Sequence, residues 1–202
     1  MSRRVLLSFT PEGLVSAYRE AVFPMADSVT GRLYWMRPDP RAVIPLDGFH
    51  MSRSLARAIR RGRFEVRVDT DFEGVMRGCA DRAEGTWITE EFVAVYGELH
   101  RRGAAHSVEA WSEGRLVGGT YGLALGAAFM AESMFHRETD ASKVALAALV
   151  ARLRERGFAL LDVQYLTPHL SSLGAVEIPG ALYYALLRGA LRLEPRFTHE
   201  AG

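Results

Sequence analysis

The sequence predicts an α+β protein with a mixed, largely antiparallel sheet and helices on both of its faces. Three stretches carry that expectation. Residues 106–135 divide into three successive strands joined by tight turns, residues 141–157 bear a helical apolar stripe, and FALLDVQ at 158–164 is a mostly apolar strand. With 202 residues, 49% hydrophobic and 24% charged, the chain can fill one domain or two small ones, so collagen-like, disordered and coiled-coil architectures are excluded.

Taken in order, Thr10-Pro11-Glu12 supplies a capping hydroxyl, a first-turn proline and an early acid ahead of Leu14, Ala17, Tyr18 and Ala21, which predicts a short helix. Residues 22–48 hold four of the eight prolines and read as loop. They close a small N-terminal unit, 1–48, ahead of a larger domain, 49–202. Ser52–Arg61 is a basic helix stopped by Gly62, followed by Phe64, Val66 and Val68 alternating as a strand. Asp71 caps a short helix through Met76, and Thr89 caps EEFVAVYGELHRR, which Gly103 ends. HSVEAW (106–111), RLVGGTYGLAL (115–125) and AAFMAESMF (127–135) form the meander. ASKVALAALVARLRER then runs to Gly157, the apolar strand follows, and after a Pro/Ser/Gly loop a last helix spans about Gly180 to Leu191.

Twenty-five basic and 24 acidic side chains leave a formal charge of +1, so any nucleic-acid binding has to come from a local patch. All the basic residues except Lys143 are arginine, for which a GC-rich genome accounts before phosphate recognition is invoked. Cys79 is the lone cysteine, which rules out an internal disulfide and points to a reducing compartment. MSRRVLL lacks a signal-peptide core, and no stretch reaches the ~20 apolar residues of a membrane span. The expectation is a cytoplasmic protein with no membrane partner.

Alternation places Asp162 and Gln164 on one face of a buried strand, where they form either a satisfied structural network or a reaction centre. Glu132, between Met130 and Met134, suits the rim of an apolar pocket or a cross-strand pair with arginine. His106, Ser107 and Glu109 share one strand with His106 and Ser107 on opposite sides, which disfavours a triad. The six histidines lack metal-ligand spacing, so no metal is expected. Arg53, Arg57, Arg60, Arg61, Arg63 and Arg67 stand within 15 residues beside a single acid, Glu65. The first four share a helical face, which is either a solvated surface or a phosphate grip. Trp35, Trp87 and Trp111 read as core by themselves. A meander, helix and strand in this order also resemble acyltransferases of the GNAT type. The turn FHRETDAS, however, has none of the glycines with which coenzyme A users of that type cradle a pyrophosphate.

Eight blocks taken together resemble the bacterial leucyl/phenylalanyl-tRNA–protein transferases: RPDPRAV (37–43), FHMSRSL (49–55), GTWIT (85–89), AHSVEAW (105–111), LVGGTYGLALG (116–126), FMAESMF (129–135), ASKVAL (141–146), and the D-x-Q segment through HLSSLGAVEIP. The likeness runs in order from about Tyr18 to Pro179. It implies a GNAT-like domain behind a small N-terminal one, and a cofactor-free, monomeric aminoacyltransferase. The donor would be aminoacyl-tRNA carrying Leu, Phe or Met. The acceptor would be the α-amine of proteins beginning with Arg or Lys, which are thereby marked for N-degron degradation. By the same likeness Asp162, Gln164 and Glu132 are catalytic, with Gln164 contacting the amine and held in place by Asp162. An amide is too weakly basic to keep a proton, so Gln164 orients the amine and Asp162 or the leaving ribose oxygen takes the proton. Trp87 meets the terminal adenosine, Phe129, Met130 and Met134 form the side-chain slot, and Trp35 is a further substrate-binding residue. Arg53, Arg57, Arg60 and Arg61 would grip the tRNA. Three positions depart from the family pattern. LSFTPEG replaces a longer glycine-rich opening, Trp35-Met36-Arg37 replaces tandem tryptophans and a serine, and Gly180 follows E-I-P in place of arginine. A coenzyme A-dependent N-acetyltransferase and a non-catalytic tRNA- or peptide-binding module are the competing expectations.

Overall fold

The computed structural model describes residues 8–83 and 85–198, so the N-terminal stretch examined for a signal peptide lies largely outside the described residues. Thr10 accepts the Gly13 amide and starts α1 (Pro11–Arg19), whose buried face is Leu14, Ala17 and Tyr18. The proline-rich stretch is not loop throughout. β1 (Phe23–Ala26) and β2 (Leu33–Met36) form an antiparallel pair, and β3 (Arg41–Val43) enters the main sheet. Strands of three or four residues span too little of an alternation to show in the sequence, and Pro24 is tolerated because a two-stranded ribbon leaves one edge of each strand unpaired.

Ser52 caps α2 (Arg53–Arg60). In β4 (Glu65–Val68) the expected inward row is broken: Phe64 is buried but Val66 is 42% exposed, because β4 is the outermost strand of its sheet. Asp71 caps α3 (Phe72–Ala80), which outruns its predicted end, and Thr89 caps α4 (Glu90–Arg101). The meander is β5 (Ala105–Ser112), β6 (Arg115–Leu125) and β7 (Ala128–His136). Next come α5 (Ala141–Glu155), ended by Gly157 in the left-handed conformation (φ 75°), and β8 (Leu160–Gln164). The segment expected to be loop holds α6 (Pro168–Ser172) and β9 (Val176–Ile178) before α7 (Gly180–Ala190).

Seven strands run in the order β4-β5-β6-β7-β8-β3-β9, antiparallel except for the β7–β8 pair. Apolar side chains of α1, α3, α4 and α7 form one core on one face, and those of α2 and α5 form a second core on the other. This is a mixed α+β architecture with helices on both faces of a mostly antiparallel sheet. Two irregularities at its centre make room for a site. Along β7 the pairing with β6 shifts so that Glu132 is an extra, bulged residue between Ala131 and Ser133. Its pairing with β8 covers three positions, ending at Met130 opposite Asp162, after which the two parallel strands part.

Candidate active site

Where β7 and β8 separate lies a cleft of about 500 Å³, lined from β7 by Ala131, Glu132, Ser133 and Met134, and from β8 by Val163 and Gln164. Phe23 and Met25 of β1, Trp87, and Thr167 and His169 at the start of α6 complete much of the wall. A volume of that order accommodates a nucleoside-sized ligand.

Asp162 and Gln164 do share a face of β8, but only Gln164 reaches this cleft. Asp162 is sealed behind it, and both of its oxygens are fully engaged. Arg41 donates from Nε to Oδ1 (2.8 Å) and from Nη2 to Oδ2 (2.6 Å), the Tyr183 hydroxyl donates to Oδ2 (2.7 Å), and the Gln164 amide donates to Oδ1 (2.9 Å). Arg41, only 1% exposed, lies between the rings of Phe23 and Tyr183 (4.6 and 4.7 Å) and also donates to the Ala21 carbonyl. Burial and the neighbouring Asp162 charge push the Tyr183 phenol well above its usual range, so it remains a donor. The bidentate fork and the two further donors satisfy a buried ion pair that would otherwise be costly. Gln164 itself sits at φ 58°, a strained position for a residue with a side chain, and the bond from its amide to Asp162 helps hold it there.

Glu132 has the opposite environment. The Gln164 side-chain amide donates to Oε1 (3.4 Å) and the Tyr96 hydroxyl to Oε2 (3.3 Å), and Tyr96 in turn is bonded to Tyr18 (2.9 Å). Burial pushes the Glu132 carboxyl up to about 8, with the Asp162 charge adding to the rise while Tyr18, Tyr96 and Arg41 oppose it. At neutral pH the side chain is therefore mostly a neutral acid that ionises within reach of physiological pH. An amide acceptor beside such a group can orient an amine and exchange a proton with it.

The predicted slot residues separate. Trp87 and Met134 line the cleft, whereas Phe129 and Met130 are sealed in the second and first cores respectively and do not. Strict strand alternation would put Met130 and Met134 on one face. The bulge at Glu132 reverses the alternation and sends them to opposite faces. Trp35 is half-buried against the first core, away from the cleft wall. Arg53, Arg57, Arg60 and Arg61 are exposed on and just after α2 and make no ion pair among the described residues, while Arg63 and Arg67 are paired with Glu138 and Glu65. Instead of a triad, His106 bonds to Asp69 (2.7 Å), and Glu109 accepts from Ser107, Trp111 and the Thr70–Asp71 backbone. No His, Cys, Asp or Glu cluster suited to a metal occurs among the described residues, and none of their helices is long and apolar enough to cross a membrane. Sequence inspection missed Arg41, although a carboxylate on a buried strand demands a cation and Arg41 precedes the apolar run Ala42-Val43-Ile44. It also missed Phe23 and Ser142 in the cleft wall.

A family model described as leucyl/phenylalanyl-tRNA protein transferase matches residues 43–188, and one for the N-terminal domain of that family matches residues 8–39. The leucyl/phenylalanyl-tRNA–protein transferase of Rubrobacter xylanophilus is 58% identical over 193 residues, covering 95% of this chain and all of that one. Its namesake from Ruegeria pomeroyi is 57% identical, covering 92% of this chain and 88% of the relative. Among solved structures, L-PGS from Bacillus licheniformis is similar over 64% of this chain and 47% of that one, at 17% identity and a TM-score of 0.43, too loose a likeness to bear on fold or activity.

Proposed function

Because the chain belongs to the leucyl/phenylalanyl-tRNA–protein transferase family, we propose that the cleft between β7 and β8 is its reaction centre, with Gln164 and Glu132 as the groups that meet the acceptor amine. The protein is an aminoacyltransferase that moves an aminoacyl group from tRNA to proteins. The donor ester is already activated toward amines, so the enzyme has chiefly to align the amine with the carbonyl and keep water away. The amine nitrogen attacks the ester carbonyl, the new C–N bond forms, and the bond to the ribose oxygen breaks. Roughly a tenth of a free α-amine is neutral at pH 7. Glu132 ionises near pH 8, so its ionised fraction at neutral pH accepts the amine proton and passes it to the departing ribose oxygen. Gln164 accepts a hydrogen bond from the amine. Asp162 is a positioning residue: both of its oxygens are engaged, and it fixes Gln164 through the backbone.

Trp87 faces the adenosine, and Met134 with Ala131, Val163 and Leu170 supplies the apolar wall for the carried side chain. Such a wall discriminates by only ~1–3 kcal/mol per methylene, which suits mixed use of Leu, Phe and Met. Acceptors beginning with Arg or Lys, and their marking for degradation, belong to the same proposal, as does a GNAT-like acyltransferase fold. The carrying observation is that Gln164 and Glu132 meet at the wall of one cleft that also holds Trp87. Purified protein, leucyl-tRNA and a peptide beginning with Arg should yield a peptide heavier by one leucine residue, abolished by ribonuclease. Acetylation of that peptide from acetyl-CoA, with no leucine added, would overturn the proposal.

A further inference from the structure

The cleft has a second chemical end at the start of α5. That helix follows Asp140, which takes a left-handed φ of 71° and gives no side-chain cap. The Ala141 amide bonds to Glu138 and that of Val144 to Asp140, but the Ser142 and Lys143 amides meet no acceptor among the described residues. Ser142 is 4% exposed and lines the cleft, yet its hydroxyl has no hydrogen-bond partner among those residues. The hydroxyl of this nearly buried residue, open to the cleft beside two open amides, offers donors to an acceptor in the cleft. Thr167, His136 and His169 share this wall. Burial, with smaller contributions from Lys143 and His136, holds the His169 pKa below its ordinary value. Glu138 is engaged by Arg63 (2.9 Å), and the Lys143 ammonium, which bonds to Asp140 (3.2 Å), keeps two further donors. Gly118 lets the helix start lie hard against β6: a Cβ there would come within 2.6 Å of the Ala141 Cβ and 3.1 Å of the Ser142 nitrogen.

We propose that the Ser142 hydroxyl, the Ser142 and Lys143 amides and the Lys143 side chain bind a phosphate, namely the 5′-phosphate of the adenosine that carries the amino acid. The inference rests on the cleft being the donor site. A nucleoside ester with its carbonyl at Gln164 and Glu132 has one anionic group to offer this end. The free amides and helix dipole favour an anion, and the hydroxyl adds a donor that an apolar ligand would leave unpaired. The glycine-free turn that argues against a pyrophosphate cradle still leaves two amides for a single phosphate.

The test uses two non-hydrolysable donors, 3′-leucylamido-3′-deoxyadenosine with and without a 5′-phosphate, titrated calorimetrically into the full chain. The phosphorylated compound should bind roughly tenfold tighter, and that ratio should fall to about one in the double variant Ser142→Ala/Lys143→Ala. Equal affinities for the unaltered protein, or a ratio that survives in the double variant, would overturn the phosphate assignment. If neither compound binds the unaltered protein, the donor-site proposal itself fails, and the phosphate assignment with it.

Discussion

Asp162 and Glu132 stand on neighbouring parallel strands, and the protein uses them in opposite ways. Asp162 has four donors, a bidentate arginine among them, and no path to the cleft. Glu132 has two long hydrogen bonds, no cationic partner, and an edge on the cleft. The first is a clamp, held on both oxygens by Arg41. The second is a group whose charge is left free to change. Solvation and partners, rather than residue type, decide which carboxylate can take part in proton transfer.

Breaking the clamp should produce the largest effect. Asp162→Ala leaves Arg41 buried without its counter-ion and should cost about 3–5 kcal/mol of stability, read as a fall in the urea midpoint. Replacing both partners with leucine should cost less than Asp162→Ala alone, and an Asp162→Ala variant as stable as the parent would remove the clamp from the account. The open carboxylate predicts a pH effect of definite sign. With its pKa raised from 4.5 to about 8, folded Glu132 holds a proton that the unfolded chain releases. Its contribution to stability is therefore fully present below about pH 4.5 and is lost as pH rises toward 8, by up to about 1.4 kcal/mol per pH unit. Glu132→Gln should flatten that decline when unfolding is followed at pH 5, 6.5 and 8, and a parallel decline in the variant would contradict the assigned titration. A smaller and purely surface effect is expected at the exposed arginines. Replacing Arg53, Arg57, Arg60 and Arg61 with Gln should leave stability within about 0.5 kcal/mol. The slope of log transfer rate against log salt should become shallower by about 0.7–0.9 per lost phosphate contact, and an unchanged slope would place the tRNA elsewhere.

Much of the frame was legible because its signals are local. Thr10, Asp71 and Thr89 each accept a hydrogen bond at the helix start they were predicted to cap, and the meander lies within one continuous stretch. Asp162 and Gln164 were placed on one face by alternation alone. What the sequence concealed depends on long-range partners or single-residue irregularities. Arg41 lies 121 positions from Asp162, so no window contains the pair, and the choice between a structural network and a reaction centre could not be made there. It turns out that Asp162 belongs to a satisfied network while Gln164 opens on the cleft. The bulge at Glu132 adds one residue to the alternation, so Met130 and Met134 part: Met134 lines the cleft and Met130 is sealed in the first core. The positive φ at Gln164 has no sequence signal, since glutamine seldom adopts it.

The contrast between clamp and cleft is tested most directly at Gln164, the residue that touches both. Single-turnover transfer of leucine from leucyl-tRNA to a peptide beginning with Arg should be measured for Gln164→Ala alongside its thermal melting. A transfer rate lower by about a hundredfold, at a melting temperature within a few degrees of the parent, is the predicted result. Transfer at the parental rate in a folded Gln164→Ala protein would contradict it.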